Sequence, residues 1–449
     1  MFPEDFTKRM KEMLQEEYQA FEEALEEERY CALRVNTLKA GKEEFLKKAP
    51  WNLNEVPWEE NGFYYSRSDT PGKHPYHEAG AYYIQEPSAM APAAFLDAKP
   101  GERILDLCAA PGGKSTQIAV SMKREGLLIS NEIHPARAKI LSENVERLGI
   151  KNCLVMNETP DHLAQIFHEF FDRIMVDAPC SGEGMFRKNE EACGQWSVDA
   201  VEQCAKRQKD ILEAACGMLK PGGRMVYSTC TFSKEENEDV IEQFIGQHPE
   251  YHLVEMNLVG GMMKGYDKEG KTIRLFPHRL HGEGHFVAVL EKEAGLALDE
   301  CSTKTEATLS EKEIKDYREF EEKVLQDRLE GTFIKYKDEL YLAKANIPGL
   351  KGLKVLRPGI HLGTLKKGRF EPGHALAHCL TPEDVKPAYR SNFSADDPVI
   401  RDYLHGQTFE TQGENGWHVI FVDGYSLGWG KLTGNIMKNH YPKGLRSKY

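Results

Sequence analysis

The sequence predicts a doubly wound α/β domain at the centre of the chain, and three observations predict it. From about residue 100 to residue 290, short apolar runs alternate with amphipathic stretches of helical spacing. The strand-like runs are apolar almost throughout, as a parallel sheet covered on both faces requires. A loop of small residues follows the first of them, at the edge where such sheets bind their ligands.

The elements follow in order. Phe6, Met10, Met13, Leu14, Tyr18, Phe21 and Leu25 recur at helical spacing among acids, which predicts one long helix over 4–28. A strand at Cys31–Asn36, a helix at Lys42–Lys48 and a strand at Phe63–Tyr65 complete a small α/β cap, residues 1–70. Within 71–292 strands are expected at Arg103–Leu107, Leu127–Ser130, Cys153–Met156, Arg173–Val176, Arg224–Ser228 and His285–Leu290. Helices are expected between them, including Pro135–Leu148 with proline in its first turn, and a long one ended by Lys220-Pro-Gly-Gly223. Residues 293–389 read as an acidic helical connector and a small α+β module. Residues 390–449 read as a β module closing on a hairpin over Gly416–Lys431.

At 449 residues the chain is too long for one core, and 40% hydrophobic with 29% charged residues is ordinary for a globular protein. There is no apolar run long enough to span a membrane and no signal-peptide core, so a membrane partner is not expected. Ten cysteines without such a signal read as reduced thiols in a cytoplasmic protein. With no Cys-x-x-Cys pair, no metal site is expected. The net charge of −13 argues against a nucleic-acid partner until its distribution is considered. Residues 331–449 hold 17 basic against 11 acidic side chains, whereas 1–30 hold 4 against 10 and 291–330 hold 7 against 13. That asymmetry fits a basic C-terminal module on a phosphate backbone, with solvated acidic helix faces elsewhere.

The loop Asp106-Leu-Cys-Ala-Ala-Pro-Gly-Gly-Lys114 stands where the first strand turns into a helix. Ala109, Ala110, Gly112 and Gly113 let backbone approach a ligand closely, and the helix start offers free N–H groups. Neither a dinucleotide Gly-x-Gly-x-x-Gly nor a Walker loop is formed. Glu132, after the second strand, stands where an acid would bind ribose hydroxyls. Asp177-Ala-Pro-Cys-Ser-Gly-Glu-Gly184 follows the fourth strand and Ser228-Thr-Cys230 ends the fifth. Two cysteines and an aspartate thus share the rim with a nucleoside-type cofactor loop, which points to covalent catalysis. Cys153, Cys204, Cys216, Cys193, Cys301 and Cys379 lack such a context and are expected to be small core residues.

Taken together, Arg34-Val-Asn-Thr37, Gln85-Glu-Pro-Ser88, Cys108–Lys114, Asp177–Gly184 and Ser228–Glu238 resemble the Nop/Sun (Fmu/Sun) family of RNA cytosine-5 methyltransferases. Asp423-Gly-Tyr-Ser-Leu-Gly and Asn439-His-Tyr-Pro-Lys-Gly-Leu-Arg446 resemble the PUA-like RNA-binding tail of the family's bacterial 16S ribosomal-RNA members. The resemblance implies a Rossmann-like class I methyltransferase domain using S-adenosylmethionine, a C-terminal PUA-like β-barrel, and ribosomal RNA or the small ribosomal subunit as partner. It implies Cys230 as the nucleophile on cytosine carbon 6, Cys180 as the cysteine of product release, and Asp177 as a carboxylate touching cofactor and cytosine. Cys108, Ala109, Ala110, Pro111, Gly112, Gly113, Lys114, Glu132 and Asp177 match the cofactor site. For the adenine contact, Thr159 stands at the ungapped position and Asp161 is the nearest aspartate. Extrusion of the target base is expected, with Tyr425 and Trp429 either stacking on bases or filling a core. Transfer RNA as substrate, and an RNA-binding assembly factor without catalysis, are the alternatives.

Overall fold

The computed structural model describes residues 2–187, 190–295 and 304–446. Five strands of its central sheet run parallel: β1 (Arg103–Asp106), β2 (Leu127–Asn131), β3 (Cys153–Met156), β4 (Phe171–Asp177) and β5 (Leu219–Thr229). The antiparallel β6 (Ile273–Leu275) and β7 (His285–Lys292) extend it, giving the order β6-β7-β5-β4-β1-β2-β3. The order reverses between β1 and β4, and that switch point faces the small-residue loop. Helices α1 (Gly113–Ser121), α2 (Pro135–Arg147), α3 (Pro160–Ile166), α4 (Val198–Cys216) and α5 (Glu238–Gln247) cover the sheet. Successive residues of β1, Ile104 and Leu105, are both wholly buried and feed two different cores, one on each face. That is why the strands read as continuous apolar runs rather than as an alternation.

The expected long N-terminal helix is two helices, Glu4–Leu14 and Tyr18–Glu26, broken at Gln15, whose φ is 49°. Their apolar stripe does not pack on the cap sheet. It packs on Phe186, Trp196, Phe232 and Phe276 of the central domain. The cap sheet joins Asn54–Val56, Glu59–Tyr65, Cys31–Val35 and Tyr82–Ile84, so it runs past residue 70.

Two further sheets follow the central one. The first joins Thr332–Tyr336, Glu339–Ala343, Ile360–Lys366 and Arg369–Pro372, with the helix Lys315–Val324 beside it. Val355–Arg357, between its strands, leaves it to pair with the outer edge of β3. Arg357 seals that junction, donating to Ser142 Oγ (3.0 Å) and ion-pairing with Glu146 of α2. The last sheet is five-stranded and contains the expected hairpin, Gly416–Val422 with Tyr425–Thr433. Leu33, Val35, Phe63 and Tyr82 of the cap share one core with Ile420, Val422, Leu427 and Met437 of this sheet. Tyr76 donates to Asp423 Oδ2 (2.9 Å) and Tyr441 to Glu78 Oε2 (3.1 Å) across the same junction. Among the described residues no helix is long and apolar enough to cross a membrane.

Candidate active site

The rim formed by the carboxyl ends of the parallel strands gathers the polar residues that the core excludes. Asp106, wholly buried at the end of β1, accepts a hydrogen bond from Ser115 Oγ (2.6 Å) of α1. Its Oδ1 has no partner among the described residues. Burial, with Asp177 adding repulsion against the Ser115 bond, pushes its carboxyl up to about 7. Gly112 caps α1 at φ 114°, a conformation open to glycine, with Leu141 and Asn144 of α2 packed against its Cα. Arg34 of the cap fixes the same helix start: its Nη2 donates to Gly113 O (3.0 Å) and Thr116 Oγ1 (2.8 Å), and its Nε to Gln85 Oε1 (3.1 Å). The motifs around Arg34 and Gln85 therefore serve the loop from another sheet.

Glu132, almost fully buried after β2, accepts from His134 N (2.9 Å) and stands 3.4 Å from Arg137 Nη1. Thr159 is exposed and caps α3, accepting from His162 N (3.2 Å), and Asp161 is exposed in the first turn. The buried acid after β3 is Glu158, which sequence reasoning missed. Its carboxylate accepts from Lys354 N (2.6 Å) and pairs with His162 (2.8 Å), and these contacts outweigh burial to hold it below the usual carboxylate range.

Asp177, at the tip of β4, accepts from Ser228 Oγ (2.7 Å), pairs with Lys114 Nζ (2.8 Å) and lies 3.6 Å from His285 Nε2. Burial alone would raise its carboxyl, but Lys114 and His285 hold it well below the ordinary value. Lys114 is raised in turn, because Asp177 overcomes the penalty of its burial. His285 had no local motif to find it by. It opens β7, and because that strand is antiparallel its first residue arrives at the rim where the parallel strands end.

The two rim thiols meet. Cys180 Sγ and Cys230 Sγ lie 3.3 Å apart, both free and both part-exposed. The Cys230 sulfur beside it, together with burial, pushes the Cys180 thiol far up. The loops that carry them are stitched together. Ser181 N and Gln208 Nε2 donate to Glu236 Oε2 (3.0 and 2.8 Å), Gly184 N donates to Cys230 O (2.8 Å), and Phe232 N donates to Glu183 Oε2 (2.7 Å). Beneath them Arg274 pairs with Glu238 (2.5 Å), both side chains buried, and donates to Phe232 O (2.7 Å). Such a frame fixes both sulfurs within reach of one reacting atom.

Known families match this chain from end to end. The N-terminal domain of 16S rRNA methyltransferase RsmF matches residues 2–87, 16S rRNA methyltransferase RsmB/F matches 93–291, the RsmF first C-terminal domain matches 319–380 and the RsmF PUA domain matches 390–447. The ribosomal RNA small subunit methyltransferase F of Vibrio vulnificus (strain YJ016) is 34% identical over 434 residues, 92% of this chain and 90% of that protein. This chain belongs to the RsmF family of 16S rRNA methyltransferases. Its relative in Shewanella baltica (strain OS185), of the same description, is 31% identical over 92% of this chain and 90% of that one. Among solved structures, a methyltransferase homolog protein from Pyrococcus horikoshii is 31% identical, covering 65% of this chain and 95% of its own at a TM-score of 0.58. NSun6 from the same organism with SFG, 23% identical over 66% of this chain and 99% of its own, shares the fold at a TM-score of 0.59.

The structure also decides several expectations that the sequence left open within the RsmF frame. Tyr425 and Trp429 are 2% and 1% exposed, so they are core residues and not stacking platforms. The cap covers Tyr425, whose ring lies 5.0 Å from that of Tyr76, while Trp429 packs on Phe320 and donates to Gly373 O (2.8 Å). Cys153 and Cys379 are core residues as expected, whereas Cys193, Cys204 and Cys216 are only half-buried; Cys301 lies outside the described residues. Glu213, Cys216 and His248 bring ligand-type atoms within 4.8 Å of one another, but at the sheet edge opposite the rim, and His248 Nε2 already bonds Glu213 (2.8 Å).

Proposed function

We propose that this chain transfers a methyl group from S-adenosylmethionine to carbon 5 of a cytosine in 16S ribosomal RNA, through a covalent bond between Cys230 and carbon 6. The observation that carries the reading is the pair of free thiols 3.3 Å apart beside an aspartate held ionised. A small-molecule or amine methyltransferase has no use for that pair.

The residues present fit the cofactor. Asp106 keeps an unpartnered oxygen at the loop, and Asp106, Glu132 and Asp177 together put three acids on one rim. That suits a ligand carrying a sulfonium and an ammonium charge. Cys108–Lys114 and Glu132 would hold it, with Thr159 and Asp161 as proposed adenine contacts. Bound there, it supplies an electrophilic methyl group.

The chain's own groups do the rest. Carbon 5 of cytosine is a poor nucleophile until a thiolate adds to carbon 6 and makes it enamine-like. The raised Cys180 keeps its proton and directs it toward the Cys230 sulfur 3.3 Å away, and Cys230 releases its own proton to solvent as its sulfur forms the bond to carbon 6. Asp177, ionised, accepts from the exocyclic amine, while Lys114 and His285 are the proton donors next to it. Once the Cys230 sulfur is bonded to carbon, the charge that raised Cys180 is gone. Cys180 can then give up its proton to solvent at the part-exposed rim, and its thiolate takes the carbon 5 proton. The C–H electron pair restores the ring double bond while the carbon–sulfur pair leaves on Cys230 as thiolate, releasing 5-methylcytosine. The site's place on a ribosomal RNA enzyme also supports a cytoplasmic location.

Two variants test this with 16S RNA made without modifications. Cys180→Ala is expected to accumulate an RNA–protein adduct that survives denaturing gels, and Cys230→Ala to form none. Adduct from Cys230→Ala would reverse the roles, and any methylated nucleoside other than 5-methylcytosine from the wild type would overturn the reading.

A further inference from the structure

The basic charge of residues 331–449 is not where the PUA match lies. Residues 331–370 contain nine lysines and arginines against two acids, whereas 371–449 contain eight against nine. The whole excess therefore sits on the four-stranded sheet, its turns and the excursion 344–359 that leaves it for the central sheet. We infer that this sheet, and not the PUA-like module, holds the phosphate backbone of the RNA that flanks the target base. The inference rests on the proposed RNA substrate and adds the surface that grips it.

The geometry concentrates the charge at two places. The turn joining Tyr336 to Glu339 and the turn joining Lys366 to Arg369 lie at the same end of the sheet, because Glu339 pairs with Thr364 and Leu365 N donates to Asp338 O (2.8 Å). Lys337, Lys366, Lys367 and Arg369 project from these turns, all exposed. Lys337 and Gly368 hold left-handed backbone, φ 57° and 70°, so both turns are tight and present their side chains outward. Tyr336, 44% exposed and flanked by Lys335 and Lys337, offers an aromatic face on which a base can stack. The second place is the loop bearing Lys351 and Lys354, both exposed. Lys354 N and O bond Glu158 Oε1 (2.6 Å) and Asn157 N (2.9 Å), which sets this lysine directly beyond the end of β3 on the catalytic rim.

Most of these cations are uncommitted. Among the described residues, Lys337, Lys351, Lys354, Lys366 and Lys367 make no ion pair, whereas Arg357 of the same segment is buried against Glu146 and Arg369 stands 3.0 Å from Glu371. In a chain of net charge −13, eight exposed cations with almost no acid among them match a polyanion. An acidic protein face is the competing occupant.

The test uses the full chain, unmodified 16S RNA and filter-binding titrations between about 50 and 300 mM salt. The quadruple variant K337E/K366E/K367E/R369E is compared with K431E/K438E on the PUA-like sheet. The quadruple variant is expected to bind RNA at least about tenfold more weakly at 0.1 M salt, with a log–log salt slope shallower by about 3. K351A/K354A should shift the slope by about 1 to 2, while K431E/K438E stays near wild type. Cofactor titration and thermal unfolding should be unchanged in the quadruple variant and in K431E/K438E, whose side chains are exposed and far in sequence from the cofactor loop. If the quadruple variant binds like wild type, or K431E/K438E loses as much, the surface is wrong while the substrate stands. If it binds naked RNA normally but loses assembled small subunits, the surface docks on protein and the inference falls. If the wild type itself shows no salt-dependent affinity for the RNA, the substrate reading falls with it.

Discussion

Lys114→Met gives the sharpest test of the rim electrostatics. The lysine stands 2.8 Å from Asp177 and is the largest influence holding that carboxyl down against burial. Asp106 shows what burial does on the same rim to an acid with no ion pair among the described residues: it stands near 7. Without Lys114, and with His285 still beside it, Asp177 should rise toward that value; the part of the rise above its ordinary 3.8 is at most about 3 pH units, or about 4 kcal/mol between its two forms. The Asp177 side chain is 30% exposed, so solvent screening trims the figure to about 2–3 kcal/mol. The sign follows. A carboxyl held low is ionised throughout the working range, whereas the raised one is protonated as pH falls through its new value. Methyl transfer by Lys114→Met, measured from labelled cofactor at saturation between about pH 5.5 and 9, should fall more steeply than the wild type on the acid side. Lys114→Arg should restore the wild-type profile. If Lys114→Met merely lowers the rate by the same factor at every pH, Lys114 does not control the charge of Asp177.

Two stability measurements bear on other parts of the molecule. Glu236 is buried, and burial pushes its carboxyl up to about 7 from 4.5 despite hydrogen bonds from Ser181 and Gln208. The folded state therefore binds more protons than the unfolded one between those values. Its contribution should cost about 3 kcal/mol of stability as pH rises from about 4.5 to 7, and urea midpoints of Glu236→Gln should lose that slope. Trp429→Ala should destabilise by about 3–5 kcal/mol, read by thermal unfolding. Its folded fraction should bind RNA as the wild type does; a selective loss of RNA affinity would return Trp429 to the surface.

Local chemistry made the central domain legible. Apolar strands and the loops at Cys108–Lys114, Asp177–Gly184 and Ser228–Cys230 each occupy a short stretch of chain, and sheet topology then forces all three onto one rim. What depends on distant contacts was not legible. His285 reaches Asp177 only because β7 runs antiparallel, and Glu158 finds a backbone donor in Lys354, from beyond the central domain. The break at Gln15 leaves the apolar spacing intact, so periodicity alone predicts one helix. Tyr425 and Trp429 sit in a hairpin whose two faces are both covered, one by the cap and one by the helix Lys315–Val324. A single sequence window cannot report that second covering. Charge counting found the basic segment 331–449 but assigned it to its most familiar module, whereas only the register of two hairpins places the lysines together.

The core shared by the cap and the last sheet makes the first and last thirds of the chain a single folding problem. During synthesis, Leu33, Val35, Phe63 and Tyr82 emerge some 340 or more residues before Ile420 and Met437, the residues that complete their burial. Until then the cap, although its other face is packed on the central domain, exposes a wet apolar face. Native pairings of such long sequence separation form late and slowly. A truncation lacking the last sheet is thus a chain with an unfinished N-terminus, and its defects report on assembly before they report on RNA.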